Sequence, residues 1–158
     1  FQVPVVFICE NNQYAMSFAS SDWTSSENLA AFGDRYGLPG RAADGNNLVE
    51  VRAEVQQAVD LARSGGGPSL IVNHTYRWRG HSKSDRNRYR TRDEIEEWKE
   101  RDPIHTFQVY CLEEKLLTTR EIEHIREQAY AAVEEARLFA EASPDPSLDT
   151  IEEGVYAP

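Results

Sequence analysis

Cysteine is scarce: Cys9 and Cys111 are the only two in 158 residues. They are too few and too far apart for a disulfide framework or a CxxC metal site, and Cys9 falls within an apolar run, so a reducing compartment is expected. Positive charge is also short. Seventeen Lys and Arg face 27 Asp and Glu, a formal net charge of −10, which argues against a general nucleic-acid binder needing a basic surface to displace counterions. No apolar run is long enough to cross a bilayer, so no membrane role is expected. HExxH, EF-hand, GxSxG, GxGxxG and Walker patterns are missing, and with them the chemistries they carry. There is no internal repeat or low-complexity segment. The opening FQVPVVFICE has no basic n-region or small-residue cleavage site; it reads as cut from a longer chain rather than as a signal peptide.

What is present is ordinary globular composition, 40% hydrophobic and 28% charged, in a length that suits one domain. Residues 3–9 are nearly continuous apolar and β-branched, the pattern of a strand buried on both faces in a parallel sheet. Thr24 stands three residues before Glu27, a capping-box spacing that predicts a helix over 25–36, stopped by Gly37 and Pro39. A short strand is expected over 41–44, then a turn at Gly45-Asn46-Asn47. Leu48, Val51, Val55, Ala58, Val59 and Ala62 recur at helical spacing up to the Gly65-Gly66-Gly67-Pro68 breaker. Residues 69–77 read as a third strand, and 78–92 as a polar, basic loop. Thr91 with Glu94 and Thr118 with Glu121 repeat the capping-box device, Asp102-Pro103 starts a helix between them, and Ile122, Ile125, Ala129, Val133 and Ala140 form a stripe ending before Pro144. The final residues read as a surface strap.

Alternating strands and helices predict an α/β fold with a mostly parallel sheet flanked by helices and a helical carboxyl-terminal extension. Residues 1–158 form one domain in this reading, with 1–90 an α/β half carrying the site and 91–158 the helical extension and tail. Ligands of such sheets collect at the carboxyl ends of strands, so Glu10-Asn11-Asn12-Gln13-Tyr14 and Arg77-Trp78-Arg79-Gly80-His81-Ser82 should converge.

Each segment has two readings. Neutral oxygens at an Asn-rich strand end suit magnesium shared with phosphate, but an Asn pair also forms Asx turns by itself. Clustered arginines can clamp a diphosphate, with His81 titrating near neutrality beside them; they can equally be a solvated loop or a patch for an acidic partner. Trp78 is as apt to pack as to stack on a ligand. His74 fits a core or interface role, and His105 and His124 the surface of helices.

Together these segments resemble the alpha subunit of the thiamine-diphosphate-dependent first component of 2-oxo acid dehydrogenases, the pyruvate, branched-chain and acetoin dehydrogenase type. The likeness runs over residues 5–156, through ICENNQYAMS, TSSEN, YGLPG, ADGNN, GPSLIVNHTYRWRGHSKSD, YRTRDEIEEW and DPI. It implies the diphosphate-binding half of a thiamine-diphosphate-binding fold. It also implies thiamine diphosphate and magnesium as cofactors. Asn12 would give a side-chain oxygen and Tyr14 a backbone carbonyl to the metal. Arg77, Tyr14, Asn12 and Ser17 would bind cofactor, and His81 would serve as the catalytic residue in cofactor positioning and acyl transfer to lipoamide. Ser82 stands where mitochondrial members are phosphorylated.

The resemblance further implies a GDG motif upstream of Phe1 and a catalytic glutamate on a beta subunit. Implied partners are that beta subunit, a second alpha subunit, and a lipoyl domain on an acyltransferase core. The compartment would be bacterial cytoplasm or mitochondrial matrix. Asn73 stands where relatives often have an acid and Asn47 where Asp is common, which alters details of a strand end and a helix cap. Two other readings remain beside it: a noncatalytic interaction or scaffold domain that keeps the fold without cofactor, and a transketolase-like synthase, against which YRWRGHSKSD argues.

Overall fold

The computed structural model describes residues 2–26 and 28–155. Its elements are β1 (Val6–Asn11), β2 (Tyr14–Ala15), β3 (Phe18–Ala19), α1 (Ser20–Trp23), a 3-10 helix (Leu29–Tyr36), β4 (Gly40–Asp44), α2 (Leu48–Arg63), β5 (Ser69–His74), α3 (Arg92–Glu100), α4 (Pro103–Glu113), α5 (Thr119–Ala142) and a 3-10 turn (Leu148–Thr150). The chain divides into two compact units, one reaching to Tyr110 and the other beginning at Cys111.

In the first unit β1, β5 and β4 form a parallel three-stranded sheet in that order. The register sets Asn11 beside His74 and Asp44 beside His74, so all three strands end together at one sheet edge. β5 is central and its residues are mostly buried, Ile71 completely. Because side chains alternate along a strand, Leu70 and Val72 face the 3-10 helix, where they pack with Leu29, Ala30 and Phe32. α2 touches all three strands, and its buried residues are the small Ala58 and Ala62.

The predicted burial of the first strand on both faces does not hold within this chain. β1 is an edge strand, paired with β5 alone among the described strands, and Phe7 and Ile8 are 50% and 52% exposed. A continuous apolar run calls for cover on both faces, and the described residues provide that cover to β5.

Local chemistry explains most boundaries. Asn47 caps α2 by accepting from the Glu50 backbone N–H at 3.2 Å, worth about 1 kcal/mol. The helix expected over 25–36 begins later, at Leu29, and is 3-10 in character. Its cap is Asn28, whose side chain accepts from Ala30 N–H at 3.0 Å, while Thr24 takes the Ser26 N–H instead; Glu27, the other half of the expected capping box, lies outside the described residues. Gly37, at φ 69°, ends the helix in the left-handed region that glycine adopts without strain. The third strand ends at His74 rather than 77, as Thr75 turns its hydroxyl onto the buried Asn46 at 2.7 Å. Asn46 also donates to the Arg101 carbonyl at 2.9 Å, so it ties the turn after β4 to the end of α3.

The second unit contains the long helix α5. Its full capping box joins Thr118 and Glu121 reciprocally, as the spacing predicts. Among the described residues no helix is long and apolar enough to cross a membrane.

Candidate functional site

The sheet edge where β1 and β5 end is where the two chemistry-bearing segments meet. Thr75 N–H donates to the Asn11 carbonyl at 2.9 Å, extending the parallel pairing past the last strand residues. Gln13 then reaches across to the Thr75 carbonyl at 3.4 Å. Gln13 and Met16 take positive φ, 70° and 58°, and the chain folds into the β2–β3 hairpin with Met16 and Ser17 at its tip. Neither turn residue belongs to the usual Asn-Gly type, which is why the hairpin is silent in the sequence.

Both asparagines form Asx turns. Asn11 Oδ1 accepts from Gln13 N–H at 3.2 Å and Asn12 Oδ1 from Tyr14 N–H at 3.1 Å. Each carbonyl oxygen has a second lone pair, so the turn organises the loop and leaves Asn12 Oδ1 able to accept again. Asn11 is also within 3.5 Å of His74 Nδ1, which gives His74 a structural role at the strand end.

Arg77 spans the two segments. Its Nη2 donates to the Met16 carbonyl at 2.5 Å and to the Tyr89 hydroxyl at 3.0 Å, and its Nε to the Arg79 carbonyl at 3.2 Å. The Tyr89 hydroxyl in turn donates to Asp85 Oδ2 at 2.8 Å, and the same oxygen accepts the His81 backbone N–H at 2.8 Å. Backbone N–H bonds from Asn87 and then His81, with the Tyr89 hydroxyl, lower the Asp85 pKa from 3.8 to about 2. Asp85 is thus the ionised centre of the loop, and Arg77 is coupled to His81 through Tyr89 and Asp85.

An open recess of about 460 Å³ lies over this network, lined by Met16, Ser17, His81, Ser82, Asp85, Arg86, Arg88 and Tyr89. Ser17, His81 and Ser82 therefore come together. Asn12, Tyr14 and Arg77 are not among the lining residues: Asn12 and Arg77 turn toward loop backbone, and Tyr14 points its ring into the protein. Ser82 Oγ stands 3.1 Å from Ser84 Oγ.

Beneath the recess is a cluster that the sequence reading missed. Arg90, counted among the loop cations, is only 8% exposed. It donates to the carbonyls of Arg77 and Trp78 and to Asn87 Oδ1. Its guanidinium lies over the rings of Tyr14, Tyr76 and Tyr89 at 5.6, 5.3 and 5.6 Å. It binds loop backbone rather than a ligand. Trp98 of α3 stacks on Tyr76, with centroids 5.2 Å apart and planes within 9°. The hydroxyls of Tyr14 and Tyr76 both donate to Glu94 Oε1, each at 2.8 Å. Burial first, and then that hydrogen bond, push both phenols up from their ordinary value. The one signal that could have drawn attention to Glu94 was its capping-box position, which suggested a different task.

Comparison with known proteins gives the chain's family. Residues 1–149 match the family model described as dehydrogenase E1 component. Pyruvate dehydrogenase E1 component subunit alpha-3, chloroplastic, of Oryza sativa subsp. japonica is 36% identical over 157 residues, covering 99% of this chain and 37% of that protein. 2-Oxoisovalerate dehydrogenase subunit alpha of Bacillus subtilis (strain 168) is 38% identical over 157 residues, covering 99% and 48%. The testis-specific mitochondrial form of the human pyruvate dehydrogenase E1 component subunit alpha is 38% identical over 163 residues, covering 99% and 40%. The chain spans less than half the length of these relatives. With a matched model over nearly its whole length, this chain belongs to the dehydrogenase E1 component family, as a relative of the alpha subunits of 2-oxo acid dehydrogenases.

Proposed function

We propose that the chain provides the diphosphate-binding side of a thiamine-diphosphate site in an enzyme that oxidatively decarboxylates a 2-oxo acid and passes the acyl group to lipoamide. The observation that carries this reading is the bridge between strand ends, in which Arg77 Nη2 donates to the Met16 carbonyl at 2.5 Å. It brings a guanidinium to the loop that contains the neutral oxygens.

The donor set suits the implied cofactors. Asn12 Oδ1 and the Tyr14 backbone carbonyl are hard, neutral oxygens on one ordered loop, fit for part of a magnesium shell that phosphate oxygens, water and a carboxylate complete. Arg77 and the hydroxyl of Ser17 supply hydrogen-bond donors for a diphosphate. When bound, thiamine diphosphate supplies a nucleophilic thiazolium carbon and the electron sink for loss of carbon dioxide. This chain's residues orient and hold charge: Arg77 balances the diphosphate, and His81, exposed on the recess, presents an imidazole as a general acid or base to a bound substrate. Ser82 lines the same recess, so a phosphoryl group there would set negative charge against an anion site and inhibit.

The proposed assembly is two alpha and two beta chains docked on an acyltransferase core with lipoyl domains, in bacterial cytoplasm or a mitochondrial matrix. The exposed apolar side chains of β1, and Ile125, Tyr130, Val133 and Phe139 on α5, at 52%, 73%, 70% and 75% exposure, favour such partners, since large apolar surfaces mark interaction sites. A scaffold domain without cofactor is the contrasting reading. Titrating thiamine diphosphate and magnesium into the full alpha chain assembled with its beta subunit separates them: saturable, magnesium-dependent binding is expected, and no binding would leave the scaffold reading.

A further inference from the structure

Spacing alone gives Glu94 the task of closing a capping box at the start of α3. The backbone half of that box is in place, with Glu94 N–H donating to Thr91 Oγ1 at 3.1 Å. The carboxylate is committed elsewhere. Its Oε1 receives the Tyr14 hydroxyl and the Tyr76 hydroxyl, both at 2.8 Å. Tyr14 belongs to the loop that follows β1, and Tyr76 to the loop that follows β5, next to Arg77. One oxygen therefore joins the two arms of the site.

We propose that Glu94 is a positioning residue of the cofactor site, holding the loop after β1 and the loop after β5 in fixed relation through the two tyrosine hydroxyls it accepts. This rests on the functional reading above. A carboxylate only accepts, and two hydroxyl donors to a charged acceptor are stronger and shorter than neutral bonds. The rings reinforce the arrangement. Tyr14 and Tyr76 meet edge to face, 6.0 Å apart at 85°, and Trp98, one helical turn after Glu94 on the same face of α3, stacks on Tyr76. Arg90 lies over both rings. α3 thus contributes a charge and an aromatic plate, and the two tyrosines transmit their position to the backbone carbonyl of Tyr14 and to Arg77. Misplacement of such groups by about 1 Å can cost on the order of a hundredfold in function.

The test is a fluorescence titration of thiamine diphosphate with magnesium on the full alpha chain assembled with its beta subunit. E94A should weaken binding at least tenfold. E94Q, whose amide oxygen still accepts both hydroxyls, should stay within threefold of the parent, a rescue that a merely structural or purely charge-based role would not give. Binding by E94A equal to the parent, or E94Q as weak as E94A, overturns the positioning role while leaving the functional reading intact; failure of the parent to bind overturns both. Should E94A fail to assemble, Y14F removes a single hydroxyl and carries the test. Weakening of at least threefold is expected, and unchanged binding overturns the proposal.

Discussion

Replacing Arg90 by Met should destabilise the fold by removing the anchor of the loop that carries the candidate site. The side chain is 8% exposed and donates to two backbone carbonyls and to Asn87 Oδ1, which it reaches from Nη2 at 3.0 Å and from Nε at 3.3 Å. Hydrogen bonds from a charged donor contribute about 1.5–3 kcal/mol each, and an orphaned buried acceptor costs about 1–3 kcal/mol. A desolvated cation over aromatic rings adds about 0.5–2 kcal/mol. These terms do not add, and removing the guanidinium also removes its own desolvation cost, so the net loss should be about 3–5 kcal/mol. Lys at this position should lose most of the same energy, because one ammonium cannot span two carbonyls and an amide. The assay is urea unfolding of parent, R90M and R90K at equal slope. A loss below about 1 kcal/mol in R90M, the level of an exposed ion pair, would show that the guanidinium is effectively solvated and would refute the argument.

Three further outcomes follow from the loop geometry. A Cβ at Gly80 would lie 2.7 Å from the Cβ of Asp85 and 2.9 Å from its Cγ, so G80A must displace Asp85 and should speed tryptic cleavage at Arg86 and Arg88 severalfold; an unchanged rate would contradict the packing. Asp85 has a folded-state pKa lowered from 3.8 to about 2, so its contribution to loop order is present above about pH 4 and is lost as pH falls toward 2. Amide resonances of His81 and Asn87 should titrate with a midpoint near 2, and a midpoint at the ordinary carboxylate value would sink the assignment. H81A in the assembled enzyme should lose most of its acyl-transfer activity with an unchanged thermal midpoint, since the imidazole is exposed on the recess; parent-like turnover would remove His81 from the chemistry.

Much of this molecule was legible because local signals and fold agree. The 3.6-residue stripe of α2, its Asn47 cap and the Thr118–Glu121 box need no tertiary information. The convergence of the two loops followed from parallel topology alone. Burial did not follow. The run from Val3 to Cys9 encodes a need for cover, while what covers it is a property of the whole assembly of elements, and β1 stands at an edge here. Roles within the basic loop were equally hidden, because sequence spacing cannot separate a cation aimed outward from one folded inward. Arg90 turns in because three tyrosine rings and two carbonyls surround it, and Glu94 leaves its cap because two phenols lie within reach. Those partners come from β2, the segment after β5 and α3, which only the fold brings together.

In the proposed site Arg77, brought to the loop after β1, neutralises a magnesium-bound diphosphate. The most direct measurement is the dissociation constant of thiamine diphosphate, at saturating magnesium, for parent and R77Q in the full alpha chain assembled with its beta subunit. Loss of a charge-assisted bond to the diphosphate should weaken binding at least tenfold, roughly 1.4 kcal/mol, with the assembly intact. Equal affinity in the two proteins would contradict the claim.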